Sequence, residues 1–315
     1  MQSRREFIQT GLALGATLSL AKLNRLGAAE ATAGSPPVPA PAAHPTKPLL
    51  IAVRDGDRVA MLEKAMAELG GMEAFVKPGQ TVVLKPNISF DAPPERGSNT
   101  HPDLLRRVVT LCFAAGAKSV SIFDHTLDQW QRAYVASGAE QIAKETGAQL
   151  VPGNDASYYR EVAIPGGVSL RAAKVHSLVL DCDVFINVPV LKDHGGSLMT
   201  ACMKNLMGIV WDRRVYHRND LHQSIADFLT FKQPALNILD AYHPMVRNGP
   251  HGRSTADLVE MRTLLASTDI VAIDAAAAKL LGLRPADVRY ITIADQMKLG
   301  TMDLDQVDIR RFKLT

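Results

Sequence analysis

Four short apolar runs of this chain are each followed by side chains that can hold anions or move protons. Lys85 and Asn87 follow Thr81-Val82-Val83-Leu84, and Asp124 and His125 follow Ser119 to Phe123. Lys192, Asp193 and His194 follow Val184 to Val188, and Asp240 and His243 follow Leu236 to Leu239. Ammonium groups attract anions and lose protons readily when buried. Imidazoles and carboxylates move protons or bind metal ions. Any single one of these residues can be a cap or a turn former. Lys and His are not favoured turn residues, however, so the set as a whole points to a shared site.

The segment Ser197 to Trp211 carries the sharpest local signal. Leu198, Met199, Ala201, Cys202, Met203, Leu206, Met207, Ile209 and Val210 are apolar almost all round at helical spacing, which predicts a buried helix with Ser197 as its N-cap. Lys204 and Asn205 sit in the middle of it. A buried ammonium must be paired, must reach solvent, or must lose its proton. Two readings stay open: a core strut bonded to Asp124, Asp240 or Asp274, or a cation or general base facing a ligand. Asn205 beside Lys204, and the Lys192-to-His194 stretch before it, favour a shared polar pocket. Gly195-Gly196, ahead of this helix, leaves N–H groups that suit an anion.

Histidines gather late in the chain, at His194, His217, His222, His243 and His251. None shows the i,i+4 or H-E-x-x-H spacing of a sequence-readable metal site, although a mixed His/Asp/Asn site drawn from several loops is open. Gly249-Pro250-His251-Gly252 reads as a tight turn that also lets backbone approach a ligand. No G-x-G-x-x-G, Walker-type or G-x-S-x-G pattern is present, so nucleotide binding and serine hydrolysis have no support. Cys112, Cys182 and Cys202 lie far apart, which excludes a self-contained Cys-ligated iron–sulfur cluster. Their apolar contexts favour buried thiols over a disulfide.

Short β-type runs alternate with helical patterns, which predicts an α/β fold with a mostly parallel sheet flanked by helices. Strands are expected at 49–53, 81–84, 119–123, 184–188 and 236–239. Helices are expected at about 59–69, 102–115, 139–146, 222–229 and 269–281, the last capped by Ser267 or Thr268. In open α/β sheets ligands bind beyond the carboxyl ends of the strands, so parallel strands would gather the polar set on one rim.

The stretches Val83-Leu84-Lys85-Pro86-Asn87, Asp183 to His194 and Lys204-Asn205-Leu206-Met207-Gly208 resemble the family of the domain of unknown function numbered 362. So do His217 to Leu229, Asp240-Ala241, Gly249 to Gly252 and Ala266 to Asp274. The resemblance covers most of the chain after residue 48 and implies an α/β fold and a motif map rather than a reaction. Many relatives carry a Cys-rich ferredoxin-like segment that this chain lacks.

Near the start of the chain stands Ser3-Arg4-Arg5-Glu6-Phe7-Ile8, followed by a moderately apolar stretch from Gly11 to Ala21. This resembles a twin-arginine signal peptide over residues 1–29, read by the twin-arginine translocation machinery, and predicts a periplasmic or otherwise extracytoplasmic protein exported already folded. Gly27-Ala28-Ala29 and Ala31-Thr32-Ala33 both offer cleavage sites. The apolar stretch is too short to span a bilayer, and no membrane span is expected in the mature chain. Residues 1–29 hold four of the 35 basic and one of the 32 acidic side chains, which leaves 31 of each. That balance argues against nucleic acid as a partner. Residues 30–48 are Ala- and Pro-rich and read as a linker. Residues 49–315 remain for one large domain or two closely joined halves.

Two functions fit. One is an exported enzyme, or a cofactor-handling protein linked to redox metabolism, with a polar cleft on the sheet rim. Lys204, His194 and Asp124 would do its chemistry, and Lys85, Asn87, Lys192, Asn205, Asp240 and His251 would hold an anionic small molecule or a metal ion. The other is a non-catalytic binding or accessory protein for a periplasmic redox enzyme, using the same cleft.

Overall fold

The computed structural model describes residues 47–315. The twin-arginine segment and nearly all of the Pro-rich stretch lie outside the described residues. Chain order in the first half is β1 (Leu49–Arg54), α1 (Arg58–Glu68), β2 (Thr81–Pro86), α2 (Pro102–Ala114), β3 (Ser119–Asp124), α3 (Trp130–Ala136), α4 (Ala139–Thr146), β4 (Gln149–Pro152), β5 (Tyr159–Ala163), β6 (Ala172–His176) and α5 (Ser177–Asp181). There follow β7 (Val184–Val188), β8 (Val190–His194), β9 (Leu198–Thr200), α6 (Cys202–Asn205), α7 (Arg214–Arg218), α8 (Leu221–Phe228), β10 (Leu236–Met245), β11 (Thr263–Ser267), α9 (Ile270–Leu280), α10 (Arg289–Gln296) and β12 (Asp308–Lys313).

The strands form a mixed, mostly parallel sheet in the order β12-β1-β11-β10-β7-β2-β3-β4, with helices on both faces. Only β11 runs against its neighbours along that path. Strands β7 and β8 both pair with β10 in parallel, on either side of Pro189. Proline has no N–H to give to a ladder, so the paired strand breaks there. β5 and β6 form a separate hairpin. The described residues make one domain.

The period-2 alternation of each strand supplies a core on both faces of the sheet. Val82, Leu84, Ile122, Ile186 and Ile238 face α1, α2 and α4. Val83, Phe123, Phe185, Leu239 and Leu265 face the layer of α6, α8, α9 and α10. Lys85 shares the parity of Val83, Asn187 that of Phe185, and Asn237 that of Leu239. These three polar side chains therefore point to the α6 layer.

Two expectations are corrected. The run 197–211 is not one helix: Gly195-Gly196 turns β8 back into β9, α6 has a single turn, and a 3-10 turn at Leu206–Ile209 follows. Ser197 caps nothing, since its hydroxyl donates to Met199 O at 3.1 Å. The Asp274 carboxylate on α9 does the capping instead, accepting from Cys202 N at 2.7 Å and Met203 N at 3.1 Å. Helix α9 is likewise capped by Asp269, not by Ser267 or Thr268. The three thiols are unpaired, with Cys112 and Cys202 buried. No helix among the described residues is long and apolar enough to cross a membrane.

Candidate functional site

A cavity of about 430 Å³ opens beyond the carboxyl ends of β2, β3 and β8. Lys85, Asn87, Asp124, Lys192, His194, Lys204 and Asn205 all line it. Asp240 and His251, the other two candidates, do not. Asp240 shares the parity of Ile238 and faces the opposite side of the sheet, where its Oδ2 accepts from Arg58 Nε at 2.8 Å. His251 packs edge-on to Phe90, itself a wall residue, and only its neighbour Pro250 reaches the cavity.

The floor is a fixed polar network. Lys192 Nζ donates to Asn87 Oδ1 at 2.7 Å, and Asn87 Nδ2 donates to Asn205 Oδ1 at 2.8 Å. Asn205 Nδ2 donates to Asn187 Oδ1 at 2.8 Å, and Asn187 Nδ2 to Asn237 Oδ1 at 2.9 Å. This chain of amides joins β8, the loop after β2, α6, β7 and β10. It ties α6 to the sheet, because each member donates to the next residue along the chain.

The cations lining the cavity are not equivalent. Lys85 is fully buried and committed: its Nζ donates to Pro86 O at 2.6 Å and Asn205 Oδ1 at 3.1 Å. It also lies 3.0 Å from Asp124 Oδ1, an ion-pair distance without the alignment of a hydrogen bond. Asp124 Oδ2 in turn accepts from Ile88 N at 2.7 Å. Lys192, 1% exposed, donates to Asn87 Oδ1 and to Ser98 O, both at 2.7 Å, and meets no carboxylate. Half-buried Lys204 has only Met207 Sδ, at 3.8 Å. Arg213 donates to Thr126 O at 3.0 Å. Among the described residues, Lys192, Lys204 and Arg213 have no acidic partner. Asp212, beside Arg213, is taken by Arg214 and Arg218.

Burial, with Lys204 close by, lowers the Lys192 pKa to about 7. Burial and the Arg213 guanidinium lower that of Lys204 to about 8. Burial, and after it the same cations, lower the imidazole pKa values too. Burial, Lys204 and Lys192 bring His194 down to about 3, and burial and Arg213 lower His125. His194 Nδ1 accepts from Gly196 N at 3.0 Å, which leaves its proton on Nε2. His125 has the opposite tautomer, because its Nδ1 must donate to Val210 O at 3.0 Å and its Nε2 keeps a lone pair. His125 also stacks on Trp211, at 5.1 Å between ring centroids and 4° between planes.

Arg213, Trp211 and Thr200 line the cavity without having been singled out as site residues from the sequence, and His217, one of the late histidines, lines it as well. Thr200 is 5% exposed and its Oγ1 has no hydrogen-bond partner among the described residues. Asn187 carried a legible signal, as an amide inside the apolar strand Val184–Val188, where a polar group must find a buried partner. Arg213 carried none. Of the late histidines only His194 and His217 reach this cavity, and no group of three His, Cys, Asp or Glu side chains that could hold a metal ion comes together among the described residues.

A mixed α/β domain with a cation-rich cavity at the ends of its parallel strands is the class that fold and site define. The chain belongs to the family described as "Domain of unknown function (DUF362)", whose pattern matches residues 82–279. It is 30% identical over 254 residues to a thylakoid-associated protein of Synechocystis sp., covering 78% of this chain and 76% of that one. Among solved structures it is similar to the lactate racemase apoprotein from Thermoanaerobacterium thermosaccharolyticum, with a TM-score of 0.42 and 14% identity over 68% of this chain. It is also similar to a protein from Thermotoga maritima, with a TM-score of 0.41 and 9% identity over 76% of this chain. The chain spans 53% and 60% of those two proteins.

Proposed function

We propose that this cavity binds a small organic anion and carries out proton-transfer chemistry on it, in a protein exported by the twin-arginine route. The observation that supports this most is the set Lys192, Lys204 and Arg213, three cations that line the cavity and form no salt bridge among the described residues, with Asp124, already paired to Lys85, as the carboxylate nearby. Burying unpaired charge is costly, and an anionic ligand relieves that cost. The volume of about 430 Å³ suits a small molecule. His194 offering an N–H and His125 offering a lone pair favour chemistry over carriage alone, since the two tautomers supply a donor and an acceptor.

Titration calorimetry with inorganic phosphate and small carboxylates tests the binding. Affinity is expected to be highest below pH 7 and to fall as pH rises through 7 and 8, where Lys192 and Lys204 lose their protons. With both lysines titrating, the association constant drops by up to about a hundredfold per pH unit above both values. Stability of the ligand-free protein should run the other way. Both lysines titrate below their ordinary value of 10.5, so the unfolded chain binds more protons between about pH 7 and that value. Stability therefore rises with pH through that window. An affinity independent of pH from 6 to 9 contradicts the lysine site.

Export has its own test. Replacing Arg4 and Arg5 together with lysine is expected to leave the precursor in the cytoplasm, because the pair is an address and not generic charge. Cell fractionation that finds the double variant outside the cytoplasm at the wild-type level overturns the signal.

A further inference from the structure

The three lysines on the cavity differ in what their amines touch, and the difference separates anchoring from reactivity. Lys85 Nζ has two oxygen acceptors and the Asp124 carboxylate, and Lys192 Nζ has two oxygens at 2.7 Å. Lys204 Nζ has no oxygen acceptor among the described residues, only the Met207 sulfur at 3.8 Å. Its backbone is nonetheless held rigidly, by the Asp274 cap at one end of α6 and the Asn205 amide network at the other. An amine on a rigid turn, in a cavity wall, with cations around it and nothing to hold its protons, is the setting in which lysine acts as a nucleophile.

Building on the anion-site reading, we propose that Lys204 forms an imine with a carbonyl-bearing carboxylate, of which 2-oxo acids are the simplest class. The carboxylate lies against Lys192 and Arg213, with the buried Thr200 hydroxyl as a further donor. The Lys204 amine adds its electron pair to the carbonyl carbon, forming a C–N bond as the C=O π pair moves to oxygen. The carbinolamine then loses that oxygen as water, with the two protons that leave nitrogen, and a C=N bond remains. No oxidant or reductant is involved. The depressed basicity of Lys204 keeps part of the amine unprotonated near neutral pH. An imine in this position makes the adjacent carbon acidic, and the open Nε2 of His125 supplies a base on the same cavity.

Borohydride trapping tests this on the exported, mature protein. Incubation with pyruvate and sodium borohydride is expected to add one reduced 2-oxo acid, located by peptide mass mapping on Lys204. Propionate, which has no keto group, should compete with the trapping and leave no adduct of its own. Lys204→Arg keeps the positive charge and is expected to cut trapping about tenfold or more while still responding to phosphate. Absence of an adduct, or labelling spread over surface lysines and unchanged in Lys204→Arg, overturns the proposal. If phosphate still stabilises the protein in that case, the anion site survives and only the imine is wrong. If phosphate has no effect either, both readings fall.

Discussion

Lys85→Met is expected to destabilise the protein by ~3–5 kcal/mol, measured by urea unfolding, because it strands a buried carboxylate. Lys85 and Asp124 are each at most 1% exposed, and their charged atoms lie 3.0 Å apart. Burial pulls the Lys85 pKa down while the Asp124 carboxylate pushes it back up. Removing the ammonium leaves Asp124 with the Ile88 N–H and no counter-charge within contact distance. It also leaves Asn205 Oδ1 with one donor fewer. A loss below about 1 kcal/mol, the size of a surface pair, contradicts the assignment of Lys85 as the structural lysine of the site.

Gly208→Ala is expected to be nearly as damaging, although it adds one methyl group. A Cβ built on Gly208 falls 2.2 Å from Asp124 Oδ1, 2.5 Å from Lys85 Cε and 2.8 Å from Lys85 Nζ. A long lysine would ordinarily swing away from such a clash. This one cannot, because its end is fixed by Pro86 O and Asn205 Oδ1. The Gly208 carbonyl also accepts from His125 N at 3.0 Å, so a shift of the turn moves His125 as well. The expected loss is about 1–3 kcal/mol, as for other overpacked interiors, together with weaker phosphate binding in calorimetry. Unchanged stability and unchanged binding in this variant would show that the turn has room the structure does not give it.

Periodicity placed α2 and α4 close to their observed ends because each has one apolar face and a clear stop, and β3 and β7 because each is a short apolar run bounded by polar residues. It failed at residues 197–211, where every face is apolar. There the Gly195-Gly196 reversal and the Asp274 cap, 70 residues downstream of Lys204, decide the backbone. Seven of the nine candidates meet on one cavity, five because β2, β3 and β8 end together there and two because α6 packs beside those ends. Asp240 was lost to parity: one residue along β10 moves a side chain to the other face of the sheet. The Asn187–Asn237 link and Arg213 are tertiary facts that no local spacing encodes. Two of the five late histidines reach the cavity, since histidines near one another in sequence are spread over β8, α7, α8 and β10.

The central claim is that Lys204 faces a ligand cavity and is no strut of the core, and thermal unfolding of Lys204→Met decides it. Without ligand, the variant should unfold at or above the wild-type temperature, since no carboxylate among the described residues depends on Lys204 and an unpaired half-buried charge is removed. With phosphate or a small carboxylate, the wild type should gain stability in proportion to ligand saturation, and the variant should gain much less. A large drop in the unfolding temperature of the ligand-free variant, with anion stabilisation intact, contradicts the account and makes Lys204 architecture.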